Sequence, residues 1–169
     1  MMTKIRWWTV FAGTVATLIL IGTAHAQTEL ERKSLIGLNE IYVTLETIGS
    51  DAESSAVPVD PLRREVEEML RQGDVTLISS ADLPGAPNAS ALAITVRSEP
   101  LANNRLYSIE LRVKQAGTLL RDPQTTLPVT TWFASDLGLT PLSDQKEIRN
   151  SILALVADFL TAHHQANPQ

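Results

Sequence analysis

The sequence predicts a two-layer α+β domain, a mixed and mostly antiparallel sheet of about five strands with two helices on one face. The stretch RLYSIELRVK, residues 105–114, alternates apolar and polar side chains with a period of two. That period is typical of a strand with one buried and one solvated face. Two further segments have the periodicity of amphipathic helices. The predicted order along the chain is strand, helix, four strands and helix.

The first 26 residues have the organisation of a cleavable signal peptide. Lys4 and Arg6 supply positive charge, an apolar run covers residues 7–21, and Ala24 and Ala26 are the small residues of a cleavage site after Ala26. The alternative is an uncleaved membrane anchor, but the run is shorter than the roughly 20 residues that a spanning helix needs. We predict a periplasmic or secreted protein with one domain over residues 27–169 and no membrane span after cleavage.

Charge and cysteine content exclude several classes of function. Residues 27–169 carry a formal net charge of −7, with 12 basic residues against 19 acidic ones. This balance argues against nucleic acid or an anionic membrane surface as the main partner. The chain has no cysteine. It therefore has no disulfide, no thiol nucleophile, no zinc–cysteine site and no cysteine for a lipid anchor.

The first half of the domain is predicted to form a strand, a helix and a second strand. Residues 40–48, Glu40 to Ile48, alternate β-branched and polar side chains. Asp60 and Pro61 favour a helix start, and Gly73 favours its end in a left-handed conformation. A short strand is predicted over residues 75–79, which makes the unit a parallel crossover.

The second half is predicted to form an antiparallel meander and a closing helix. Three strands are predicted, over residues 91–97, 105–114 and 128–134. The second continues with a bulge at Gly117. Residues 135–142 contain glycine and proline and are predicted as a loop. Ser143 is predicted to cap a helix running to about His163, and residues 27–33 are predicted to be frayed.

Five ordered segments resemble a family of small exported bacterial proteins with no assigned function. They are IYVTLETI, REVEEMLRQGDV, YSIELRVKQ, TW and IRNSILALVADFL. The resemblance spans residues 35–168 and implies an exported α+β domain without a known catalytic residue. The chain departs from the family pattern at residues 72–74, where a small residue, a glycine and an aliphatic residue are expected. The element order is also similar to small envelope domains of the lipopolysaccharide-assembly and Tol–Pal type, an analogy of fold that does not fix function.

No motif in the chain predicts catalysis, a cofactor or a metal. His163 and His164 are the only histidines after residue 26, and adjacent helical residues point about 100° apart, so they do not share a metal-binding face. No G-x-S-x-G nucleophile elbow is present. The acids Asp51, Glu53 and Asp60 lack the spacing of a calcium-binding loop. We predict no catalytic, cofactor-binding or metal-binding residue.

The candidate binding surface is the solvated face of the sheet. Its predicted members are Tyr42, Glu46, Glu110, Arg112 and Trp132. Exposed aromatic side chains beside charged ones are typical of surfaces that bind peptides or partner proteins. The alternative is a register shifted by one residue, in which Trp132 is in the core and Phe133 is exposed.

Three functions remain open. The favoured one is a non-enzymatic, exported, envelope-associated binding domain that takes an unknown protein or peptide partner on the open sheet face or on a sheet edge. The second is a hydrolase acting through carboxylates such as Glu46 and Glu110, which requires two acids in a pocket without basic partners. The third is a carrier of an apolar ligand, which requires a cavity between the sheet and the helices.

Overall fold

The computed structural model describes residues 29–49, 57–83, 86–144 and 146–168. The predicted signal peptide and its cleavage site lie outside the described residues. Over these four ranges, no helix has both the length and the apolar character needed to cross a membrane.

Five strands and three helices lie within these ranges, in the predicted order with one short helix added at the start. They are α1 (Glu29–Lys33), β1 (Glu40–Gly49), α2 (Val59–Gln72), β2 (Thr76–Leu77), β3 (Ala89–Leu101), β4 (Asn104–Leu119), β5 (Asp122–Pro141) and α3 (Lys146–Ala166). The predicted α+β class is confirmed.

The strands form one mixed sheet in the order β2-β1-β3-β4-β5. The strand β1 pairs in parallel with β2 on one side and with β3 on the other. The strands β3, β4 and β5 form two successive antiparallel hairpins. The parallel crossover and the meander are both present, and β5 is the end strand of the sheet.

One hydrophobic core lies between the sheet and the helices. The apolar positions of RLYSIELRVK, which are Tyr107, Ile109, Leu111 and Val113, all point into it and are at most 3% exposed. The helix α3 supplies the facing stripe, which includes Phe159. Each fully buried side chain of this kind contributes about 1.5–3 kcal/mol.

Several predicted boundaries are wrong, and tertiary packing explains the largest error. Residues 135–142 were predicted as a loop, but residues 135–141 are the last third of the 20-residue strand β5. There the chain pairs with β4, and Gly138 lies opposite Tyr107. Residues 29–33 form α1 instead of a frayed end, and β2 has two residues instead of five.

The predicted helix signals also need correction. The helix α2 begins at Val59 after Pro58, without a side-chain cap, so Asp60 lies in its first turn. At its end the positive φ of 60° belongs to Asp74, while Gly73 has a φ of −91°. A Cβ at Gly73 would lie 2.5 Å from a methyl carbon of Leu160, so the helix packing requires the glycine.

The cap of α3 and the bulge in the β4–β5 pair also lie at other residues than those predicted. The cap at the start of α3 is Asp144, whose Oδ1 accepts the Lys146 N–H at 3.0 Å, and not the predicted Ser143. The β4–β5 register shifts lie between Val113 and Lys114 and between Thr118 and Leu119, and not at Gly117.

Candidate functional site

The candidate site is the face of the sheet opposite the core, here called the open face. Strand register places its side chains in rows that cross β1, β3, β4 and β5. One row contains Glu46, Thr95, Glu110 and Ser135. Because α2 and α3 bury their apolar sides in the core on the other side, neither of these helices covers this face.

An ion-pair cluster lies at the centre of the open face. The guanidinium groups of Arg97 and Arg112 lie 3.1 Å and 2.6 Å from Glu110 Oε2. That oxygen is buried, and neither guanidinium group is aligned to donate a hydrogen bond to it. Since each guanidinium carries five N–H donors, both arginines keep donors for an incoming carboxylate or carbonyl.

An aromatic ring lies beside this cluster. The Arg112 guanidinium carbon is 5.9 Å from the centre of the Phe133 ring, at the limit of a cation–π contact. Phe133 is 37% exposed and is the register partner of Arg112 on β5. The pair combines a cation with an apolar surface, and such pairs are common at protein interfaces.

Four of the five predicted surface residues lie on the open face. Tyr42 is half-buried and Glu46 is exposed, both on β1, while Glu110 and Arg112 are on β4. Glu46 and Glu110 are two strands apart in one row, which separates their backbones by about 10 Å.

The placement of Trp132 is the exception and is wrong. Its side chain is fully buried and meets the Phe159 ring edge-on, with 5.5 Å between centroids. Val113 pairs with Trp132 but Lys114 pairs with Thr130, so Thr131 is an extra residue in β5. The extra residue reverses the alternation after it, so that Phe133 takes the exposed position.

An apolar corner of the open face was not predicted from the sequence. Leu101, Leu106, Leu137 and Leu139, here called the leucine corner, are 55%, 42%, 71% and 51% exposed. Leu106 and Leu139 are direct register partners across β4 and β5. The period-two spacing of Phe133, Leu137 and Leu139 is the signal that identifies the two β5 members, but both leucines lie in residues that were predicted as a loop.

The two histidines hold the end of α3 in place. His163 Nε2 lies 2.5 Å from the Leu38 carbonyl oxygen, and His164 Nε2 lies 3.0 Å from that of Gly73. His163 is buried, so this end of α3 is packed against the rest of the domain. No group of three or more metal-ligating side chains occurs in the part of the chain that the structure describes.

A hydrogen-bonded chain of side chains joins β4, α3 and β5. The Tyr107 hydroxyl lies 3.3 Å from Ser151 Oγ, which donates to Asp136 Oδ2 at 2.5 Å. Burial raises the pKa of Tyr107 above its ordinary value, and the nearby Asp136 and Glu147 charges add to this. Twelve residues separate Ser151 from His163, about 18 Å along the helix, so the described histidines do not act as its base.

Three clefts of about 240, 250 and 260 Å³ lie at the surface of the described residues. A mostly apolar cleft of about 240 Å³ lies between the starts of α2 and α3 and is lined by Val57, Pro58, Leu62 and Lys146, among others. Ligand sites are usually about 300–1,000 Å³. The core side of the sheet is filled by side chains, which does not favour the carrier hypothesis.

Comparisons with known proteins give little further information. No protein-family model and no curated protein matches the chain. Two solved structures of PelC dodecamers from Paraburkholderia phytofirmans are similar to it. The structure of a single-substitution PelC variant has 15% sequence identity to this chain and a TM-score of 0.44, and the match covers 73% of this chain and 88% of the PelC chain. A PelC dodecamer in a second crystal form has 14% sequence identity and a TM-score of 0.43, and the match covers 73% of this chain and 87% of the PelC chain. Similarity at this level gives no information on ligand, activity or assembly.

Proposed function

We propose that this chain is an exported, non-enzymatic domain that binds a protein partner on the open face of its sheet. The observation that carries the proposal is the juxtaposition of exposed apolar side chains with a central guanidinium cluster. Phe133 and the leucine corner supply apolar surface, and Arg97 and Arg112 supply hydrogen-bond donors. Exposed apolar patches rimmed by polar groups mark interaction sites on soluble proteins.

The hydrolase alternative has less support. It requires two acids without basic partners, but Glu110 lies against two arginines. Glu46 lies about 10 Å away on an exposed position.

The test of the proposal is site-specific photo-crosslinking in intact cells. A photoreactive residue at Thr95, in the middle of the open face, is expected to capture a discrete protein species. A second probe at Arg64, on the outer side of α2, is the matched control and is expected to capture nothing specific. The Thr95 adduct is expected to disappear in a Phe133→Ser variant, since the aromatic contact is lost. Equal labelling from both probes, or an adduct unchanged by Phe133→Ser, would contradict the proposal.

Export is tested on the same samples. Signal cleavage after Ala26 gives a chain that begins at Gln27. The mass of the protein recovered from the periplasm or the medium shows whether the chain begins there. A full-length chain that stays with the membrane would contradict cleavage without affecting the crosslinking result.

A further inference from the structure

The edge of the sheet on the β5 side is closed to an added strand at three places. Pro128 has no N–H to donate. Thr131 is the extra residue of the bulge, and its carbonyl oxygen accepts a hydrogen bond from Ser34 Oγ at 3.0 Å. The Leu137 N–H donates to Asp136 Oδ1 at 2.9 Å. Prolines, bulges and charged side chains are devices by which proteins prevent edge-to-edge pairing.

The edge on the other side of the sheet lacks these devices. The strand β2 has only two residues, which pair with Glu40 and Ile41 of β1. From Val43 to Gly49, β1 has no strand partner on this side among the described residues, although it pairs with β3 over its whole length without a register shift. This part of β1, here called the free edge, contains no proline, no lysine and no bulge.

The backbone groups of β1 alternate between its two neighbours. The Ile78 N–H, just after β2, donates to the Ile41 carbonyl oxygen at 3.0 Å. The Glu40 N–H donates in the opposite direction, to the carbonyl oxygen of Asn88 at 3.4 Å, just before β3. The odd-numbered residues of β1 therefore turn their N–H and C=O groups away from β3.

Three residues of the free edge accordingly point their backbone groups outward, and they are Val43, Leu45 and Thr47. An antiparallel strand at this place makes up to six hydrogen bonds with their three N–H and three C=O groups. Such a row of alternating donors and acceptors is complemented by another extended backbone, which is the basis of peptide binding by strand addition.

A cleft of about 250 Å³ opens at the start of the free edge. Its lining includes Val43 on β1, Arg63 and Glu67 on α2, and Ile78 after β2. The side chains of an added strand that point to the core side meet this cleft and α2. The alternate side chains lie on the open face beside Glu46, which is exposed.

A second copy of β1 fits this edge poorly. Two free edges that pair antiparallel over their full length, Val43 to Gly49, bring Glu46 opposite Glu46 of the other copy. Like charges directly opposite each other destabilise a strand pair. A strand with a basic residue at that position forms a cross-strand ion pair instead.

We infer that the free edge of β1 binds an extended segment of a partner protein, which adds to the sheet as a further strand beside α2. The segment matches the length of Val43–Gly49, carries β-branched side chains toward α2 and places a basic side chain opposite Glu46. This site is separate from Phe133 and the leucine corner, because β3 and β4 lie between β1 and β5.

Amide hydrogen exchange of the purified protein tests whether the edge is free. The N–H groups of Val43, Leu45 and Thr47 are expected to exchange at least about tenfold faster than those of Thr44 and Glu46, which point to β3. Equal protection of both sets would show that the edge is already paired. Protection of the outward groups that rises with protein concentration would show a second copy there. Either result would overturn the inference.

The binding probe is a heptapeptide of sequence VTVKVTV with blocked ends, in which the valines face α2 and the lysine lies opposite Glu46. Over about 0.05–2 mM, a range that brackets millimolar affinity, it is expected to slow exchange at the outward N–H groups at least about threefold. Methylation of the peptide nitrogens at positions 3 and 5, which face β1 in an antiparallel strand, is expected to abolish this effect. Methylation at positions 2 and 6, which face away, is the matched control.

The reverse methylation pattern would indicate a parallel strand on the same edge and would also support the inference. A peptide that gives no slowing at any concentration, or two methylated peptides that behave alike, would overturn it.

A substitution in the protein gives an independent measurement. Thr47→Pro removes one outward N–H and is expected to weaken peptide binding at least about tenfold, while the pairing with β3 is kept. Thr47→Val keeps the N–H and is the matched control, and far-UV circular dichroism shows whether each variant is folded. Equal binding by the two folded variants would overturn the inference. Phe133→Ser is expected to bind the peptide as the parent does, so loss of the Thr95 adduct with peptide binding retained refutes the proposed function alone.

Discussion

Gly138 is expected to be one of the least replaceable residues of the sheet. It lies opposite Tyr107 on the core side, and an added Cβ would lie 2.7 Å from Tyr107 Cε1 and closer still to Cζ and the hydroxyl oxygen. Carbon atoms in contact prefer about 3.5–4.0 Å, so the ring has to move by about 1 Å or more. Tyr107 is buried and its hydroxyl is held at Ser151, so this movement breaks a hydrogen bond as well as the packing.

We expect Gly138→Ala to lower the free energy of unfolding by about 2–4 kcal/mol. Overpacking contributes about 1–3 kcal/mol and the lost hydrogen bond about 1 kcal/mol. Urea denaturation measures the change as a shift of the midpoint. In a Tyr107→Leu background, where the end of the ring is absent, the same substitution is expected to cost less than about 0.5 kcal/mol. A Gly138→Ala variant as stable as the parent, or one equally destabilised in both backgrounds, would refute the steric reasoning.

Two further predictions use single residues of the core. Burial raises the pKa of Tyr107, so the unfolded chain loses this proton at a lower pH than the folded protein. The free energy of unfolding is therefore expected to fall as the pH rises above about 10, and to fall less steeply in a Tyr107→Phe variant. The tryptophan fluorescence spectrum of the parent protein minus that of the Trp132→Phe variant reports on Trp132. This difference spectrum is expected to be blue-shifted in the folded protein and to shift to the red in urea, because Trp132 is fully buried. A difference spectrum close to that of free tryptophan would place Trp132 back on the open face.

The strands that alternate cleanly could be predicted from the sequence. Residues 105–114 keep one apolar face over four positions and residues 40–48 over three, and both fold as predicted with that face toward the core. A long period-two pattern outweighs local turn signals because slipping by one residue would expose every apolar side chain. The order of the elements and the class of the fold followed from these patterns and the two helical stripes.

The end of β5 could not be predicted because its pattern is interrupted twice. Thr131 adds one residue to the strand, and Gly138 and Pro141 resemble the residues of a loop. Gly138 is present for a different reason, since the Tyr107 ring occupies the space of its side chain. Such a contact joins residues 31 positions apart, and local sequence does not show it.

The character of the open face depends on which strands lie side by side. On β4 the open face presents Leu106 at one end, followed by the polar residues Ser108, Glu110 and Arg112. On β5, one strand away, the same face presents Phe133 and Leu137. The apolar residues are concentrated at one corner of the face and the ion pairs lie at its centre. In the proposed binding function, the first would supply affinity and the second orientation.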